Sequence, residues 1–272
     1  QYQDELPGTI VFLHQHAEEI PPGGAKDIVQ SGKLDHVDAV FGNHLWTLTP
    51  FGHIETRKGA FMAGTDRFEI TIKGRGGHGA YPHVTKDAIV IGSEVVSQLQ
   101  NIISRKIDPL KTAVITVGIF EAGTSFNVIA EEAKLTGTVR YLDSDVQQTV
   151  QGEMERVVKG ICEANGADYE LDYFVGYPPL VNHEAETEVV FEAASKVKEI
   201  KEAVEVNPQM GGEDFAYYVQ EKPGAFFFTG AQKETDNYPH HHPKFDFDER
   251  AMPIAAKMLI SAYFTYQEKN NK

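Results

Sequence analysis

Apolar residues follow two different rhythms along this chain, and the change between them constrains the fold more than any other feature. From about residue 67 the run "RFEITIKGRG" alternates apolar and polar positions, as a sheet with one wet face does. A helix is predicted at about 84–104, then the strands "TAVITVGIFEAG" and "EEAKLTGTVRYL", a helix at about 144–164 and the strand "DYELDYFVGY". That order, β-α-β-β-α-β, fills 67–176 and predicts a ferredoxin-like domain. On either side the rhythm differs. "GTIVFLHQ" and "AFFFTG" are continuous apolar runs, the mark of buried, mostly parallel strands. "VDAVFGNHLW" reads as a second short buried strand ending at His44, and "GGAKDIVQSGKL" has helical spacing closed by Gly32. Helices at about 184–199 and 250–268 resume this first texture. The chain is therefore predicted as an α/β protein. Residues 1–66 and 177–272 form one domain with a central, mostly parallel sheet, interrupted by the domain at 67–176.

Composition narrows the partners. A formal charge of -15 argues against nucleic acid or an anionic membrane surface. No apolar run approaches the roughly 18 residues of a membrane span, and a single cysteine, Cys162, rules out an internal disulfide and fits a reducing cytoplasm.

Polar residues collect where the apolar strands end, which is where open α/β sheets bind ligands. In "VFLHQHAEEIPPGG" Glu18 and Glu19 stand side by side after the first apolar run, where like charges repel. His44 follows the second run, "GGEDF" (211–215) follows Met210, and "YPHHHPKFDFDE" supplies His240, His241 and His242. Each alone also fits a solvated loop or a helix start. Carboxylates mixed with imidazoles suit zinc, manganese or cobalt. A metal would offset the Glu18–Glu19 repulsion, one carboxylate binding it and the other acting as general base.

Taken together, "HAEE" with "PGGAK", "FGNHLW", "GRGGHGAYPH", "FNVI", "GTVR", "MGGEDFAYY" and "HHHPKFD" resemble, in this order, the M20 metallopeptidase-like amidohydrolases. The branch they are most similar to contains N-acyl-amino-acid amidohydrolases and hippurate hydrolases. The resemblance implies a two-metal catalytic domain (Zn, Mn or Co) with the inserted domain as lid and homodimerisation module. It implies Glu18 as general base, Glu19, His44 and His241 as metal ligands, His78 as a catalytic group on the oxyanion, and Asn127 and Arg140 as substrate-binding residues. The implied reaction is hydrolysis of the amide bond of an N-acyl (acetyl, benzoyl or similar) amino acid.

The sequence departs from the family pattern in two places. His16 stands where the family usually has proline. The family's upstream segment, with a Cys-Gly-His-Asp type motif that supplies further ligands, is not present, so this chain is expected to hold at most one metal ion, weakly. Two alternatives follow: a catalytically impaired member that binds acyl-amino acids or dimerises without turnover, and a dipeptidase or aminoacylase-type metallopeptidase.

Overall fold

The computed structural model describes residues 6–270, which divide into two units. The first holds the described residues up to Met62, Leu180–Gln209 and those from Glu213 onward; the second holds Ala63–Pro179 with Met210–Gly212. The short piece 210–212, grouped with the first domain in the sequence reading, joins the second because Ala63 N donates to Gly211 O at 2.9 Å. Residues 1–5 and 271–272 of the expected first domain lie outside the described residues.

One expectation fails at the start of the first unit. The run 8–15, predicted as a central strand, joins no sheet among the described residues, and Phe12 is 77% exposed. Apolar side chains suit a buried strand, but a strand also needs a neighbour for its N–H and C=O groups. Here a cavity of about 990 Å³ lies between this run and the next strand, lined by Ile10, Val11, Val40 and Tyr263 among others. Helix α1 (Gly24–Gln30) is followed by β1 (Val40–Trp46), which runs two residues past His44, then β2 (His53–Thr56) and β3 (Gly59–Met62).

The second unit follows. Its elements are β4 (Gly64–Lys73), β5 (Gly77–His78), α2 (Ala88–Arg105), β6 (Ala113–Ala122), β7 (Val128–Ile129), β8 (Glu132–Tyr141), α3 (Ser144–Ala164) and β9 (Asp168–Val175). Strands β4, β6, β8 and β9 form an antiparallel sheet in the order β6-β8-β4-β9. Alternate residues of β4 (Phe68, Ile70, Ile72) and β8 (Leu135, Val139) meet Ile91, Val95, Leu99 and Ile102 of α2 and Val150, Met154 and Val158 of α3. The period of two in the strands and of three to four in the helices builds one core. Helix α2 begins later than the predicted 84 because Asp87 caps it, accepting from Ile89 N at 3.0 Å.

The chain then re-enters the first unit with β10 (Leu180–Asn182), α4 (Glu184–Lys196), β11 (Glu202–Glu205), α5 (Ala216–Glu221), β12 (Gly224–Gly230) and α6 (Ala251–Asn270). The order in its main sheet is β1-β12-β2-β11. It is a mixed sheet: β1 pairs with β12 and β11 with β2 in parallel, while β12 and β2 are antiparallel. Strand β12 is buried along its whole length. Phe226 and Phe228 join a cluster with Leu34, Phe61 and Phe215, whereas Ala225 and Phe227 join one with Val189, Ala193, Met258 and Ala262. A strand covered on both faces must be apolar at every position, which is why "AFFFTG" shows no alternation.

Candidate metal and catalytic centre

Glu18 and Glu19 sit on the turn that follows the 8–15 run, in the first unit. Burial pushes the Glu18 carboxyl above its usual range, and the charges of Glu19 and Asp214 push it further against the lowering effect of His241. Glu19 Oε2 lies 3.6 Å from His241 Nε2, with both side chains exposed. Ala17 and His241 both have left-handed backbone, with φ of 55° and 65°. Side chains other than glycine rarely adopt it, and such positions cost roughly 1–3 kcal/mol.

His44 lies on β1, its Nδ1 2.8 Å from Leu45 O. A carbonyl only accepts, so Nδ1 carries the hydrogen and Nε2 keeps a free lone pair. His240 Nε2 donates to the same carbonyl at 3.0 Å. Its ring stacks on Trp46 at 4.4 Å and meets the His44 ring edge-on at 4.9 Å. The triple histidine thus divides its work: His241 faces Glu19, and His240 packs among aromatic rings.

Two carboxylates of "GGEDF" complete the surroundings. Glu213 is 6% exposed, and its carboxyl rises to about 8, chiefly through burial, with Glu18 and Asp214 adding to it against the Phe215 N–H. Asp214 is 1% exposed and accepts from Gln15 Nε2 at 2.6 Å and from Ala25 N at 3.1 Å. Glu18, His44, Glu213 and Asp214 all line the 990 Å³ cavity.

Because the Glu213 carboxyl is raised in the folded chain, its protonated form is the one that folding favours. Its contribution to stability is complete below about pH 4.5 and is lost as pH rises through about 8. The slope reaches at most ~1.4 kcal/mol per pH unit. Glu213→Gln keeps the shape and removes the ionisation. Melting temperatures of the metal-free chain from pH 5 to 9 should therefore fall less in the variant than in the wild type; equal falls would show that Glu213 does not hold this proton.

The donor types fit a divalent cation: a carboxylate and an imidazole face each other at Glu19 and His241, and both interact electrostatically with the Glu18 carboxyl. Among the described residues no three His, Cys, Asp or Glu groups converge on one point, so His44 does not join the Glu19–His241 pair there. The described residues offer a two-point seat.

The other three assigned residues lie in the second unit. His78 on β5 pairs with Val128 of β7, and Gly79 N donates to Asn127 O at 2.8 Å, so His78 and Asn127 are neighbours. His78 Nδ1 accepts from Ala80 N at 3.1 Å, which leaves the hydrogen of the neutral ring on Nε2. Asn127 Oδ1 accepts from Ser125 Oγ at 3.0 Å. Arg140 on β8 donates from Nη1 to Thr138 Oγ1 at 2.7 Å. Burial lowers its pKa, opposed by Asp66 and Tyr141.

Residues 1–264 match the model of Peptidase family M20/M25/M40. The chain belongs to this family. Among M20 relatives, YhaA of Bacillus subtilis, named as an amidohydrolase, is 52% identical over 270 residues, covering 98% of this chain and 68% of YhaA. The N-acyl-L-amino acid amidohydrolase of Geobacillus stearothermophilus is 50% identical over 184 residues, covering 68% of this chain and 50% of the relative. A solved Bacillus subtilis structure, described as a dinuclear metal binding peptidase from the M20 family, aligns with a TM-score of 0.76 at 33% identity, covering 93% of this chain and 64% of that one. The chain thus spans between half and about two thirds of the length of these relatives. No helix among the described residues is long and apolar enough to cross a membrane.

Asp214, Gln15 and His240 are the residues that sequence reasoning left without a role. "GGEDF" marked the place of Asp214, but nothing in the sequence signals its pairing with Gln15, 199 positions away.

Proposed function

We propose that this M20 chain serves metal-dependent hydrolysis of the amide bond of N-acyl amino acids. The observation that carries the reading is the Glu19–His241 pair at 3.6 Å beside Glu18, whose carboxyl is raised by burial and by neighbouring carboxylates. Support from outside the chain is the name of the Geobacillus relative, an N-acyl-L-amino acid amidohydrolase.

Glu19 and His241 would hold a divalent ion, zinc, manganese or cobalt, and His44, which stands apart from that pair among the described residues, is assigned as a metal ligand through the lone pair on its Nε2. A second ion is proposed from the dinuclear description of the Bacillus subtilis peptidase. When bound, such ions supply positive charge that polarises a carbonyl and acidifies water. The chain's own residues do the proton work. Glu18 takes a proton from the attacking water as its oxygen bonds to the acyl carbon, and returns it to the amine nitrogen as the C–N bond breaks. A carboxylate with a raised pKa suits both steps. His78, with hydrogen on Nε2, is assigned as a neutral donor to the developing oxyanion. Arg140 is assigned to a substrate carboxylate, which its planar fork matches, and Asn127 to substrate binding. We further propose a ferredoxin-like lid role and a homodimer surface for the second unit, and a cytoplasmic setting.

The test is to assay the protein on N-acetyl-methionine, hippurate and an unblocked dipeptide with Mn2+, Co2+ or Zn2+. Turnover of the acyl-amino acids is expected. Turnover of the dipeptide alone would replace this reading with a dipeptidase.

A further inference from the structure

The turn that carries Glu18 and Glu19 has no sheet on either side, yet a general base and a metal ligand must be held within fractions of an ångström. Two short turns shape its interior: Ile20 N donates to Ala17 O at 3.2 Å and Gly23 N to Ile20 O at 3.0 Å. Neither anchors it to the body of the unit. Its two ends do. Gln15, just before the turn, donates from Nε2 to Asp214 Oδ2 at 2.6 Å, and Ala25 N, just after it, donates to the same oxygen at 3.1 Å. Gln15 is fixed in turn, because Tyr218 OH donates to its Oε1 at 2.7 Å. Gly23, with φ of 79°, presses against the same carboxylate: a Cβ there would stand 2.2 Å from Asp214 Oδ2. Asp214 and Tyr218 are themselves 1% and 3% exposed, so the anchor is set in the core while the turn is not.

We propose that Asp214 is the positioning residue of the Glu18–Glu19 turn. One carboxylate oxygen clasps both ends of residues 16–24 and thereby fixes where the two glutamates stand. The clasp bonds have a charged acceptor, which makes them stronger than neutral hydrogen bonds. The role of the clasp in metal binding rests on the function proposed above; the clasp itself does not.

The experiment is NMR-detected amide exchange on the metal-free 272-residue chain, with a parallel Mn2+ titration. Three variants are compared with the wild type. Asp214→Ala removes the acceptor, Asp214→Asn keeps an oxygen in place, and Tyr218→Phe removes only the hydroxyl that holds Gln15. In Asp214→Ala the amides of Ile20 and Gly23 should exchange about tenfold faster or more, the scale of one lost charge-assisted hydrogen bond, while those of β12 keep their protection. Asp214→Asn should restore most of that protection, and Tyr218→Phe should loosen the turn by a smaller factor. Mn2+ affinity should fall with the loosening and recover in Asp214→Asn. Unchanged exchange at Ile20 and Gly23 in Asp214→Ala would overturn the clasp, as would β12 loosening as much as the turn. Should Asp214→Ala not fold, unchanged exchange in Tyr218→Phe overturns it equally. A turn that loosens while Mn2+ affinity stays constant supports the clasp and instead contradicts Glu19 as a ligand.

Discussion

Glu18→Gln is expected to keep metal and substrate binding and to lose turnover by roughly 10²–10⁴-fold, the span of general acid–base catalysis. The amide has the shape of the carboxyl but cannot take a proton from water or return one to the leaving nitrogen. Its neighbours make the effect specific. Glu19, two atoms of chain away, faces His241, so it is not free to act as a substitute base. Glu213 is buried, with its carboxyl raised to about 8. KM should change little, since substrate binding is assigned to Arg140 and Asn127 rather than to Glu18. Wild-type kcat in the variant would remove Glu18 from the chemistry.

Asp66→Ala should strongly destabilise the second unit. Asp66 is 3% exposed and accepts from Tyr173 OH at 2.7 Å, Tyr141 OH at 3.2 Å and Gly176 N at 3.0 Å. It ties the start of β4 to the end of β9 and the residue that follows it. Removing it breaks three hydrogen bonds to one carboxylate at once, and hydrogen bonds to charged groups contribute about 1.5–3 kcal/mol each. A loss of ~3 kcal/mol or more is expected, with Asp66→Asn milder. The effect can be localised, because the one tryptophan, Trp46, lies in the first unit. Urea denaturation followed by far-UV circular dichroism should show an early transition in Asp66→Ala, while the Trp46 fluorescence midpoint stays near that of the wild type. A common shift of both signals would mean that the units unfold together.

What the sequence made legible is what local rules control. The alternation of "RFEITIK" and the helical spacing of 144–164 depend on each residue's own neighbours, and β4 and α3 stand where these patterns place them. Strands β2, β3, β10 and β11, three or four residues long, escaped because segments so short hold too few periods to read. The run 8–15 misled for a different reason. Its apolar content is genuine, but strand identity depends on a partner supplied by tertiary structure, and here a cavity stands where one would pair. At the site, the adjacency of Glu18 and Glu19 was visible as a charge conflict. The division between His241 and His240 was not: it depends on the left-handed backbone at His241 and on the Trp46 ring that captures His240. The clasp at Asp214 was equally hidden, since it joins residues from opposite ends of the chain.

Manganese titration of the 272-residue chain tests the proposed metal seat most directly. Free Mn2+ is followed by its electron paramagnetic resonance signal in the wild type, Glu19→Ala, His241→Ala and His240→Ala. Glu19 and His241 face each other at 3.6 Å, whereas His240 is turned to Leu45 O and Trp46. The wild type and His240→Ala should therefore both bind Mn2+, and Glu19→Ala and His241→Ala should each lose affinity by tenfold or more, the loss of one inner-sphere ligand. Retained affinity in Glu19→Ala and His241→Ala, with loss in His240→Ala, would contradict the assignment of the seat.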